Sequence, residues 1–216
     1  MYDVGSPQQL AEKLLKFFED LDMKGGVFVE AGANNGIWQS NTYYLEKSLN
    51  WTGILVEPNP LLFESLTGNR ENDNNSFFHC ALVSEDYEDS IIRGYFAETD
   101  YENLLMGQVE GTYARNENRW EGKKLVEVPA KTLTSILSES SNSNIDLLVL
   151  DVEGYEVQAL QGLDFNKHRP SRVCVEVWEH LPTKEEIFKI LEHNGYEMEK
   201  KLTSQDFLYR DTKGKY

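Results

Sequence analysis

Apolar residues fall along the chain in two alternating rhythms, spaced stripes and short unbroken runs. Leu10, Leu14, Phe17, Phe18 and Leu21 recur at helical spacing behind Ser6, Pro7 and Gln9, a cap, a first-turn proline and a glutamine three residues after the cap. Gly25 and Gly26 stop the stripe, which places an N-terminal helix within about residues 6–24. The run GVFVEAG then predicts a short buried strand ending on an acid and two small residues. A helix over 41–49 follows, then a strand in TGILVEPNP closed by Pro58, then a helix capped by Asn59, opened by Pro60 and burying Phe63 and Leu66.

NSFFHCALV predicts a third strand, after which the rhythm fades, with a strand-like SIIRGYF and a polar stretch over 111–124 suited to a loop or lid. KLVEVPAKTLTSILSES predicts an edge strand and a short helix. IDLLVLDVEG is the strongest later strand, followed by the helix YEVQALQGL and the buried strand RVCVEVWEH. Thr183 and Glu186 are spaced as a capping box for a helix that buries Ile187, Ile190 and Leu191 and ends at Gly195. GYEMEK and DFLYRDT then predict an antiparallel pair at the end of the sheet.

Strand and helix alternate often enough to predict an α/β doubly wound sheet, covered by helices on both faces and spanning residues 1–216 as one domain. In such sheets ligands bind at the carboxyl ends of the strands, where strand order reverses. That rule selects Glu30 to Gly36, Glu57, Ala81 to Asp86, Asp151 to Glu153 and Glu176 to His180.

The first turn spells neither the glycine pattern of a dinucleotide site nor a P-loop, which argues against a nicotinamide dehydrogenase. Its small residues still let backbone approach an uncharged sugar or a methionine-like tail, and Glu30 could hold an ammonium group. Glu57 follows Gly32 by 25 residues, where a nucleotide-binding sheet places an acid to accept both ribose hydroxyls. Ala81, Leu82 and Asp86 could flank an adenine. Asp151, Glu153 and Glu156 surround Gly154, and capping alone explains one acid better than three. Asp151 is placed to touch substrate, cofactor or metal, Glu153 to act as base or orienter, and His180 to accept a hydroxyl proton near neutrality.

Charge narrows the partners. With 37 acidic against 21 basic residues the formal net charge is −16, which disfavours long nucleic acid and anionic membrane. The excess is uneven: residues 85–110 hold eight acids and one base, Arg93. Cys80 and Cys174 sit in apolar runs without metal-ligand spacing and read as buried thiols in a reducing compartment. No signal-like leader precedes the first helix, so a cytoplasmic location is expected.

These residues together carry a resemblance. VFVEAGANNGIWQSNTYYLEKSLNWTGILVEPNPLLFESLTGNR, TLTSIL and IDLLVLDVEGYEVQALQGLDF resemble the FkbM family of S-adenosylmethionine-dependent methyltransferases, from about Val27 to Tyr209. The resemblance implies a class I methyltransferase-like sheet, mostly parallel, whose last strand is antiparallel. It implies S-adenosyl-L-methionine as cofactor, with Glu30 at its amino acid end, Gly32 and Gly36 giving it room, Asn34 at the middle position of that turn, Asn41 and Thr42 closing the pocket and Glu57 on the ribose; Ala81, Leu82 and Asp151 complete the set of cofactor candidates. The expected reaction is O-methylation of a small-molecule hydroxyl, on a sugar or polyketide-like acceptor, with Asp151, Glu153 and His180 as catalytic candidates. An insertion over about 98–124, with Tyr101, Tyr113, Arg115 and Trp120, would cover the acceptor, alone or with a second subunit in a homodimer. No metal ligands are assigned, although a magnesium ion at Asp151 is an option. The rivals are an N- or protein-directed methyltransferase and a non-catalytic cofactor-binding protein of the same fold.

Overall fold

The structure, a computed structural model, describes residues 9–97, 108–109, 123–140, 144–178 and 180–214. Helix α1 (Gln9–Asp20) precedes strand β1 (Val27–Ala31); α2 (Tyr43–Leu49), β2 (Thr52–Val56), α3 (Pro60–Asn69) and β3 (Ser76–Phe78) follow. Four strands come next, β4 (Ala81–Leu82), β5 (Ile91–Ala97), β6 (Gln108–Val109) and β7 (Lys123–Lys131). The chain ends with α4 (Leu133–Glu139), β8 (Leu147–Leu150), α5 (Glu156–Gln161), β9 (Arg172–Glu176), α6 (Thr183–His193), β10 (Tyr196–Lys201) and β11 (Asp206–Asp211).

Seven strands form the main sheet in the order β10-β11-β9-β8-β1-β2-β3. β1, β2, β3, β8 and β9 pair in parallel, and β11 runs antiparallel between β9 and β10. The expected sheet with an antiparallel last strand is therefore what forms. Strand alternation divides the core into two layers. Phe28, Leu55, Leu147, Val149 and Cys174 pack beneath Leu10, Leu14 and Phe18 of α1, Leu45 of α2 and Leu66 of α3. Val29, Ile54, Leu148, Leu150, Val173 and Val175 pack against Leu133 and Ile136 of α4, Leu160 of α5, and Ile187 and Leu191 of α6. Cys80 and Cys174 are buried free thiols, and burial pushes the Cys80 thiol up to about 12.

Several local expectations are corrected. NSFFHCALV is two strands rather than one: β3 pairs with β2, and β4 pairs with β7 in a second sheet of order β4-β7-β5-β6. An apolar run signals burial but not a change of partner at His79 and Cys80. β7 is flanked on both sides, by β4 and β5, so it is not an edge strand. Thr183 and Glu186 form no capping box, because Pro182 is the cap and Thr183 already lies in the helix. Leu21 falls beyond α1 and is 49% exposed. Asn59 does cap α3, its side chain accepting from the Leu61 amide at 3.0 Å. No helix among the described residues is long and apolar enough to cross a membrane.

Candidate active site

Strand order reverses between β1 and β8, whose successors run to opposite sides. A cleft of about 750 Å³, counting its open mouth, lies at these strand tips. Its wall includes Gly32, Asn34, Glu57, Ala81, Leu82, Asp151 and Glu153, so three strand-end segments of the main sheet converge as their sequence positions predict. The second sheet adds Phe96 and Val109, and the start of α5 adds Tyr155. These three side chains share one apolar cluster with Ala81 and Val83, so the second sheet forms a wall of the cleft.

The turn after β1 is held by backbone. The amides of Gly32 and Ala33 donate to the Val56 carbonyl at 3.0 and 3.1 Å. Asn34 has φ +52 and its amide donates to Glu57 Oε2 at 2.9 Å, while the Asn59 amide donates to Glu57 Oε1 at 2.9 Å. Glu57 is 6% exposed; burial, with smaller contributions from Glu30 and Asp151, outweighs those two donors and pushes its carboxyl up to about 7. Glu153 and Gly154 both take positive φ, and Glu156 Oε1 accepts from the amides of Val152 and Gly154 at 3.1 Å each. Glu156 is thus the acid explained by turn closure, which leaves Asp151 and Glu153 on the cleft.

Five expected site residues stand elsewhere. Glu30 shares the face of Phe28 by strand alternation and is fully buried. Its carboxylate accepts from the hydroxyls of Ser40 and Thr42 and from the Asn41 amide, so it anchors residues 40–42 and does not line the cleft. Thr42 is buried in that same network, and Gly36 makes room for the Arg70 side chain. Asn41 reaches the cleft through its side-chain amide, 3.4 Å from Asp151 Oδ2. His180 is exposed beyond the end of β9 and packs edge-on to Trp178, so the structure does not bring it to Asp151. Asp86 is likewise exposed and bonds to Ser84. Tyr101, Tyr113, Arg115 and Trp120 lie outside the described residues, as does most of the 98–124 insertion. Among the described residues no group of three or more His, Cys, Asp or Glu could hold a metal ion.

The family profile described as "Methyltransferase FkbM domain" matches residues 30–198, a span that contains every strand tip lining the cleft. The chain belongs to the FkbM methyltransferase family. Methyltransferase sdnD from Sordaria araneosa is 28% identical over 194 residues, covering 79% of this chain and 73% of that protein. The crystal structure of Methyltransferase FkbM from Methylobacillus flagellatus superposes with a TM-score of 0.51 at 14% identity, over 86% of this chain. This chain spans 43% of that FkbM protein, and the likeness is one of fold.

The buried carboxyls of this FkbM domain give its stability a pH dependence. Burial pushes Glu57 and Glu156 from an ordinary 4.5, and Asp206 from 3.8, up to about 7 each. Between those limits the folded state holds protons that the unfolded chain has released, so stability falls as pH rises, by on the order of 3 kcal/mol per group. Asp211, held low by Arg169, acts oppositely and only below its ordinary 3.8. The midpoint of thermal unfolding of the ligand-free protein should therefore fall from pH 5 to pH 7 in scanning calorimetry. Glu156→Gln and Asp206→Asn should each flatten that slope; a midpoint that rises over the interval would contradict the protonated assignment.

Proposed function

We propose that the protein is an S-adenosylmethionine-dependent methyltransferase that transfers a methyl group to a hydroxyl oxygen of a small molecule or sugar. The observation that carries this reading is Glu57, a buried carboxylate at the tip of β2 with one backbone donor on each oxygen. Each oxygen keeps acceptor capacity toward the cleft, the chemistry that a vicinal diol of a ribose requires. Pro58, Leu62, Ala81 and Leu82 supply apolar surface beside it for a flat base. Gly32, with φ +84, brings the turn against the Asp151 carbonyl and keeps side-chain bulk out of the cleft floor. The residues present therefore fit the cofactor.

When bound, S-adenosylmethionine supplies an activated methyl group on a sulfonium. The protein's part is orientation and proton management. Asp151, turned by the Asn41 amide, would hold the acceptor hydroxyl or take its proton, with Glu153 on the same stretch of wall. Phe96, Val109 and Tyr155 would exclude water from that side.

Two measurements test the reading. Calorimetric titration of the wild type with S-adenosylmethionine, with and without EDTA, should show binding that is indifferent to the chelator. A labelled-methyl screen over sugars, polyketides, amines and peptides should place the label on a hydroxyl oxygen. Absence of cofactor binding would overturn the enzyme assignment, and label on nitrogen alone would overturn O-methylation.

A further inference from the structure

Arg70 follows α3 on the side of the first turn away from the cleft, and its side chain is wholly inaccessible to solvent. A guanidinium in that position must be compensated, and its partners are concentrated on one segment. Nη1 donates to the Gly36 carbonyl at 3.1 Å and the Ser40 hydroxyl at 2.9 Å, and Nη2 to the Thr42 hydroxyl at 3.2 Å. Nε donates to Glu46 Oε2 at 2.8 Å, and Nη1 stands 3.8 Å from Glu30 Oε2. Glu30 in turn binds Ser40, Asn41 and Thr42 from below. A Cβ on Gly36 would lie 2.6 Å from Arg70 Cγ and 2.7 Å from Leu66 Cδ1, so this glycine exists to admit the arginine stem.

The fork therefore grips residues 36–42 at both ends. That segment carries Gln39, which lines the cleft, and Asn41, whose side-chain amide reaches Asp151. A simple charge pair with Glu46 would not need the fork; three acceptors on one loop do. We propose that Arg70 is the positioning residue of the cofactor turn: it fixes the 36–42 loop and, through Asn41, the Asp151 carboxylate, while touching no ligand itself. This inference rests on the cofactor reading above.

Arg70→Lys keeps the charge but cannot reach Glu46, Gly36, Ser40 and Thr42 from one ammonium. Its Kd and KM for S-adenosylmethionine should rise about tenfold, the weight of one charge-assisted hydrogen bond, with kcat falling less. Amide hydrogen exchange over 36–42 should quicken while β8 keeps its protection. Should Arg70→Lys fail to fold, Ser40→Ala carries the test: it removes one acceptor from Arg70 and one donor from Glu30 while both charges keep their other partners, and its KM for the cofactor should rise about threefold. A lowered unfolding midpoint with wild-type Kd, KM and exchange over 36–42 would make Arg70 purely structural and overturn the proposal. Wild type that fails to bind S-adenosylmethionine overturns the cofactor reading and this inference with it, whereas wild-type binding with an indifferent Arg70→Lys overturns the inference alone.

Discussion

Replacing Glu57 by glutamine is expected to weaken S-adenosylmethionine binding about a hundredfold while the protein stays folded. Both carboxylate oxygens already accept a backbone N–H, one from Asn34 and one from Asn59, each at 2.9 Å. Glutamine offers one oxygen and one NH2 group, and either flip sets donor against donor at one of those amides. The site then loses a buried backbone hydrogen bond and one acceptor for the ribose, each worth roughly 1.5 kcal/mol or more. The pH profile separates this from general damage. Because the wild-type carboxyl titrates near 7, its protonated form resembles glutamine in carrying a donor, so wild-type affinity should rise from pH 6 to pH 8. The Glu57→Gln profile should be flat over that range. Wild-type affinity in the variant at pH 8 would remove Glu57 from the cofactor site.

Burial and a bound ligand thus push the protonation of Glu57 in opposite directions. Burial favours the neutral form and stabilises the empty protein at mildly acid pH, while a diol or a sulfonium in the cleft favours the charged form. Stability of the free protein and affinity for the cofactor should run against each other across neutrality, a relation that follows from placing an acid at a buried strand tip.

Much of this was readable from residues alone. GVFVEAG and IDLLVLDVEG are apolar runs that end in acids, and burial on both faces of a parallel sheet demands that pattern, so β1, β8 and their tips were legible. Pairing partners were not. The run NSFFHCALV marks its residues as strand, yet hydrophobicity is indifferent to whether β2 or β7 is the partner. Side-chain direction is legible in part: Glu30 alternates with Val29 and Ala31, which sends it to the α2 side. Arg70 left no sequence signal, because a basic residue after a surface helix ordinarily faces water. Only its distant partners, Gly36, Ser40 and Thr42, reveal that it is buried. His180 is a chemically apt residue type after a strand end, yet it is exposed, packs edge-on to Trp178 and does not line the cleft, which residue type alone does not reveal.

Gly32→Ala should be among the most damaging single-methyl changes in the cleft. A Cβ there would stand 1.9 Å from the Asp151 carbonyl oxygen and 3.0 Å from its carbonyl carbon, and φ is +84. Neither side can yield cheaply. The Asp151 amide is bonded to the Ala31 carbonyl at 3.2 Å, and the Gly32 amide to Val56 at 3.0 Å, so both backbones belong to the β2-β1-β8 ladder. Relief requires the first turn to lift from β8, which also moves Asn34 off Glu57 and alters the cleft beside Asp151. The expected cost is about 4 kcal/mol, or about 10 °C in the unfolding midpoint, from overpacking added to left-handed strain. Gly68→Ala is the matched control. Gly68 lies near the end of α3 with open space around its would-be Cβ, and the same methyl there should stabilise by about 0.5 kcal/mol through helix propensity and a stiffer unfolded chain. Calorimetry on the two variants reads the difference directly. If Gly32→Ala melts with the wild type and binds S-adenosylmethionine normally, the turn has slack, and the contact between β1 and β8 is not what shapes the site.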